Sequence, residues 1–177
     1  MWPVHNNLLF FLLCGPSLAL AACTDQQYLT DAQRDTLTKA HNDLRQKIAE
    51  GNQPNNPGTL PSAKNMYELQ YDCKMEDIVK AELEQCSGRA TLLEKYGQNF
   101  FVVPTANQPN AKDERLSAAI TAWTSPQIFY GVNNVSNYDN SLYTFANMVH
   151  GKTLRLGCGY KENCGNDVHI SCIYNRK

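Results

Sequence analysis

Six of the seven cysteines in this 177-residue chain, Cys23, Cys73, Cys86, Cys158, Cys164 and Cys172, lie beyond an apolar leader, and they constrain its folding more than any other feature. The leader, residues 1–22, carries no Asp, Glu, Lys or Arg; Leu8 to Leu13 is unbroken apolar chain, and small residues stand at Ala19 and Ala21. This layout predicts a signal peptide cut just before Ala22 or Cys23, because the apolar run is shorter than the roughly 20 residues of a bilayer span and Gly15-Pro16 interrupts it. Removing Cys14 with the leader delivers six cysteines to an oxidising space, which predicts three disulfides within one domain over residues 23–177. Six cysteines allow fifteen pairings, and spacing alone does not choose among them. No C-x-x-C pair occurs, and Cys158-x5-Cys164-x7-Cys172 is not a zinc-ribbon spacing, so the cysteines predict neither metal nor other cofactor.

The formal charge of −1 resides wholly outside the leader. Near-neutrality without a Lys/Arg run argues against nucleic acid as a partner, since phosphate binding needs a clustered basic surface. Nothing after the leader is apolar enough to span a membrane. Thr30 to Glu50 has helical periodicity, with Leu37, Ala40, Leu44 and Ile48 on one face. Thr30-Asp31-Ala32-Gln33 fits a capping box at its start, and Gly51 suits a left-handed stop. Lys74 to Gln85 and Asp113 to Thr124 read as further helices. Asn99 to Val103, Thr153 to Leu156 and Val168 to Tyr174 read as strands, the last two joined by a large loop from Gly159 to Asp167. Helices and strands that do not alternate regularly predict an α+β fold.

Chemistry is sparse. The mature chain holds only His41, His150 and His169, and no G-x-S-x-G elbow accompanies them. His41 shares an apolar helix face with Leu37 and Leu44, which predicts a structural histidine. His150 is assigned packing or hydrogen bonding, and His169 nothing. Trp123, Phe100, Phe101, Phe129, Tyr130 and Tyr143 are read chiefly as core. Asn134-Val135-Ser136 is an N-glycosylation acceptor in an Asn-rich connection. The loops Asn52 to Pro61 and Thr105 to Asn110 are candidate contacts for a protein partner, because loops on a rigid scaffold carry recognition. No Arg-Gly-Asp or Lys-Gly-Asp tripeptide occurs.

The order of several short motifs resembles the CAP superfamily of cysteine-rich secretory proteins, antigen 5 and plant pathogenesis-related proteins, in its nematode branch of Ancylostoma-secreted, venom-allergen-like proteins. The motifs are His41-Asn42-Asp43-Leu44-Arg45, Leu69-Gln70-Tyr71-Asp72-Cys73, Tyr96-Gly97-Gln98-Asn99-Phe100, Ala122-Trp123, Asn147-Met148-Val149-His150, Leu156-Gly157-Cys158 and Ile170-Ser171-Cys172-Ile173-Tyr174. The resemblance implies a three-layer α-β-α sandwich around an antiparallel sheet. It also favours disulfides Cys23–Cys73, Cys86–Cys164 and Cys158–Cys172, with an exchange between the last two as the alternative.

Typical family members place two His and two Glu in a cleft, where they can hold a divalent ion. Carried across residue by residue, those four positions fall on Ala90, Gln98, Pro126 and Thr144. A methyl, an amide, a proline ring and a hydroxyl cannot replace two imidazoles and two carboxylates, so the resemblance implies no metal and no catalytic residue here. The implied function is a secreted, non-catalytic parasite effector that binds a host extracellular or blood-cell protein, such as an integrin. The alternative is a carrier of sterol or fatty acid.

Overall fold

The strands carry apolar side chains on both faces, so the sheet needs cover from two sides, and helices supply it. A computed structural model describes residues 23–105, 112–132 and 140–177. In chain order the elements are α1 (Asp31–Ala49), β1 (Gln70–Tyr71), α2 (Cys73–Leu83), β2 (Gly97–Pro104), α3 (Lys112–Tyr130), a three-ten turn (Asn140–Leu142), α4 (Tyr143–Val149), β3 (Arg155–Cys164) and β4 (Asp167–Tyr174). The sheet order is β1-β3-β4-β2. β4 runs antiparallel to both neighbours, whereas the two-residue β1 pairs parallel to β3. The sheet is therefore mixed rather than wholly antiparallel.

Residue parity along the strands decides which side chain meets which layer. Leu156, Cys158 and Tyr160 of β3 and Val168, Ile170, Cys172 and Tyr174 of β4 enter one core with side chains from α1, α3 and α4. Ile173 and Phe100 turn the other way, to Met75, Val79 and Leu83 of α2. On that face β3 has glycine. A Cβ on Gly157 would stand 2.5 Å from Met75 Cβ, and one on Gly159 would stand 2.6 Å from Val79 Cγ1. α2 thus lies directly on the β3 backbone.

The bridges join Cys23 to Cys73, Cys86 to Cys164 and Cys158 to Cys172, the three pairs that the family resemblance favours. Cys73 opens α2 and Cys86 follows its end, so two bridges hold that helix from both sides. The third links directly opposed residues of β3 and β4.

Thr30 caps α1 through the expected reciprocal bonds with Gln33, and Gly51 takes φ +74° after the helix. Two elements run at least six residues past the ends that the sequence predicts. α3 passes its expected end at Thr124, through Pro126, to Tyr130. Ser125 and Thr124 hydroxyls bond back to the Thr121 and Ile120 carbonyls around the proline. Beyond it the fully buried Gln127 is fixed by Gln53 and by the Pro54 carbonyl. Those tertiary bonds outweigh the local cost of proline. β3 continues to Cys164, so the connection expected from Gly159 to Asp167 shrinks to residues 165–166; a register shift between Lys161 and Cys164 accommodates the polar residues there.

Candidate functional site

The most motif-like residues fasten α1 to the rest of the fold. Asn42 lies on α1 and bonds Leu69 as a strand would, its Nδ2 donating to the Leu69 carbonyl at 3.0 Å and its Oδ1 accepting the Leu69 N–H at 2.8 Å. Arg45 is 1% exposed, and its guanidinium donates to the carbonyls of Tyr67, Met148, His150, Gly151 and Thr153 at 2.8–3.4 Å. Burial pulls its pKa down to about 10, and backbone dipoles rather than a carboxylate balance the charge. A second arginine of α1, Arg34, forms a two-pronged buried pair with Glu76 of α2, at 2.8 and 2.7 Å. Tyr71 adds a hydroxyl donor to the same carboxylate.

His41 is fully buried. Its Nδ1 meets the Leu37 carbonyl at 2.8 Å, a pure acceptor, so Nδ1 carries the proton. Burial lowers its pKa to about 4, with the Arg45 charge adding to the effect. Neutral Nε2 therefore accepts the Tyr174 hydroxyl at 2.8 Å. Tyr174 in turn accepts from Asn99 Nδ2 at 3.1 Å, and Asn99 Oδ1 accepts from Asn147 Nδ2 at 3.0 Å. Each donor in this chain has one direction, and the chain crosses α1, β4, β2 and α4. It specifies packing and presents no group to substrate.

The four positions carried over from the family cleft form no common donor set. Gln98 of β2 is 1% exposed and faces the α2 layer, where Nε2 donates to Glu82 Oε2 at 2.6 Å and to Ser171 Oγ at 2.9 Å, while Oε1 accepts the Leu92 N–H at 2.8 Å. Ala90 lies in the connection between α2 and β2, beside Thr91, whose N–H and hydroxyl both bond Glu82. Thr144 sits across the sheet on α4 and donates to the Trp123 carbonyl at 3.0 Å, and Pro126 lies inside α3. Two of the four have no ligand atom in their side chains, and the other two spend theirs on protein partners. These residues do not fit the divalent ion that the family cleft suggests.

An open apolar pocket of about 380 Å³ lies between the end of α1, the segment around Leu60 to Met66, and α4. Ile48, Leu60, Met66, Leu142, Phe145 and Val149 contribute to its wall, with His150 and Gly151 at the α4 end. His150 accepts or donates at Thr153 Oγ1 (3.2 Å), and partial burial lowers its pKa.

Comparison with known proteins decides the family. The model of the cysteine-rich secretory protein family, CAP, matches residues 38–174. The chain belongs to the CAP family. Ancylostoma secreted protein from Ancylostoma caninum is 32% identical over 148 residues, covering 83% of this chain and 35% of that protein. Venom allergen 5 from Vespa velutina is 30% identical over 170 residues, covering 91% of this chain and 80% of the allergen. The crystal structure of Na-ASP-1 matches with a TM-score of 0.81 at 30% identity, over 88% of this chain and 39% of that one. The chain thus spans little more than a third of the Ancylostoma relative and of Na-ASP-1.

Within the CAP frame the aromatic residues separate. Trp123 is buried, Phe100, Phe101 and Tyr143 are half-buried, and Phe129 and Tyr130 stand 72% and 63% exposed at the end of α3. The core reading is therefore wrong for these last two: α3 does not end at Thr124 as the periodicity predicts but continues to Tyr130, and its last turn projects past the core. The loop around Asn52 to Pro61 is tightly built: Asn55 N–H bonds the Gly58 carbonyl, Leu60 N–H bonds that of Gln53, and Gln53 and Leu60 are buried. Asn134, the leader and most of the Thr105 to Asn110 loop lie outside the described residues. Among the described residues no helix is long and apolar enough to cross a membrane.

Proposed function

We propose that this CAP protein is secreted and acts, without catalysis, as a binding protein of the Ancylostoma-secreted type, engaging a host extracellular or blood-cell surface protein such as an adhesion receptor of the integrin class. The observation that carries the reading is the ridge Ile128-Phe129-Tyr130, whose members are 54%, 72% and 63% exposed. Exposed adjacent aromatics are costly in water and supply the anchors of protein interfaces. The ridge also stands on a fixed base. Asn56 Nδ2 donates to the Phe129 carbonyl at 3.1 Å, and Asn55 exchanges two bonds with the Val132 backbone. Little ordering entropy remains to be lost on binding.

Flow cytometry of secreted protein on host platelets and leukocytes tests this. Saturable binding that needs the disulfide-bonded form, and that weakens about tenfold or more in a Phe129→Ser/Tyr130→Ser variant, is expected. No binding at micromolar concentration would refute it. The second reading, a sterol or fatty-acid carrier, is favoured by the apolar pocket, whose volume of about 380 Å³ lies within the ordinary range of small-molecule sites. Lipid co-purifying with the secreted protein, identified by mass spectrometry of an organic extract, would support that alternative.

A further inference from the structure

Among the described residues, one grouping of His, Cys, Asp and Glu ligand atoms is close enough to share an ion: Cys86, Cys164 and His169, with all three atoms within 4.8 Å of one another. The two sulfurs are bonded as a disulfide. His169, on β4, is 3% exposed, and its Nδ1 has no hydrogen-bond partner among the described residues. A buried imidazole nitrogen without a partner gives up its hydration uncompensated, so its position calls for an explanation. No role in the hydrogen-bond chain through His41 or in the apolar pocket accounts for it. Its ring is packed edge-on to Phe100 at 5.5 Å, which holds it on the α2 side of the sheet.

We propose that Cys86, Cys164 and His169 form a latent soft-metal site, closed by the disulfide and opened by a dithiol reductant, that takes zinc or a similar thiophilic divalent ion. Opening breaks one S–S bond in the protein and makes one in the reductant, whose two thiol protons and two electrons pass to the cysteines. Metal binding then releases both protons as the thiols become thiolates. Two thiolates and an imidazole supply three of the four positions of tetrahedral zinc, and water fills the last.

The scaffold keeps the ligands together after the bridge opens. Cys86 N–H remains bonded to the Leu83 carbonyl at 3.0 Å, and Cys164 and His169 are carried by paired strands. The fully buried Cys158–Cys172 bridge still joins those strands, and Cys23–Cys73 still holds the start of α2. Released sulfurs need only part to van der Waals separation, which matches the sulfur–sulfur spacing around zinc. Cys86 reaches solvent, so a reductant has access from that end.

Mild dithiol treatment under anaerobic conditions, with differential alkylation and mass spectrometry to identify the opened bridge, provides the test. The expected result is opening of Cys86–Cys164 before the other two bridges, then one zinc per opened molecule, with both thiols protected from alkylation. Cobalt in place of zinc should give a thiolate charge-transfer band, and the oxidised protein should give none. His169→Asn should weaken zinc by about tenfold or more, since a lost ligand costs at least what a lost supporting partner does. The alkylation arm uses the natural chain and stands even if that variant folds poorly. The proposal is overturned if zinc leaves the alkylation rate unchanged, if the His169→Asn variant folds and binds zinc as tightly, or if Cys86–Cys164 opens only together with Cys158–Cys172.

Discussion

Acid should weaken the fold through His41, and the size of the effect follows from its burial. An unfolded chain binds a proton at this imidazole with an ordinary pKa of 6.5, whereas the folded protein resists until about pH 4. Protonation would remove the acceptor that Tyr174 uses and place a charge in an interior that already holds Arg45. The unfolded state therefore binds more protons throughout that interval, and stability is full above about pH 6.5 and declines as pH falls. Linkage gives a loss of about 2 kcal/mol between about pH 7 and pH 5, approaching about 3 kcal/mol below about pH 4. Urea unfolding followed by Trp123 fluorescence at several pH values measures it. A His41→Gln variant, which cannot titrate, supplies the reference. The comparison belongs above about pH 5, because paired carboxylates such as Asp25 and Asp31, whose pKa values their hydrogen-bond partners lower, contribute in stronger acid. Partly buried His150 adds a slope of the same sign to both proteins. If wild type and variant lose stability in parallel over this window, the assignment of the neutral buried imidazole is wrong.

Arg45→Met should cost about 3–5 kcal/mol, because five carbonyls lose their donor, while Arg45→Lys, with three N–H groups, should cost about 1–3 kcal/mol; denaturant midpoints at neutral pH distinguish them. Gly157→Ala should destabilise by about 1–3 kcal/mol with an unchanged denaturant slope, since its methyl would meet Met75 and the Glu76 backbone nitrogen at 2.5 Å. Intact-mass and peptide mass spectrometry of the secreted form should find an amino terminus at Ala22 or Cys23 and glycan on Asn134, which peptide-N-glycosidase would remove.

What could be read from the chain was whatever local chemistry decides. The cap of α1 depends on Thr30 and Gln33 alone, and it was legible. The apolar run of β2 was legible for the same reason, since its β-branched and aromatic residues state their preference without help. The length of β3 was not, because Gly157 and Gly159 look like turn residues until α2 is known to lie against them. Continuation of α3 past Pro126 rests on Gln127 reaching Gln53, a contact 74 residues away. His169 carried no signal either: only folding brings it to Cys86 and Cys164.

The clamping of α2 by covalent links near both of its ends also divides the molecule dynamically. That layer has no free end from which to peel, and its side chains sit against bare backbone, so local opening there requires wide disruption of the sheet. The opposite layer, with α3 and α4, has no disulfide among the described residues. The apolar pocket and the aromatic ridge both lie on that side, where faster amide exchange is therefore expected. Amide exchange should be slowest beneath α2, and the surface offered to ligands can adjust without loosening that covalently held layer.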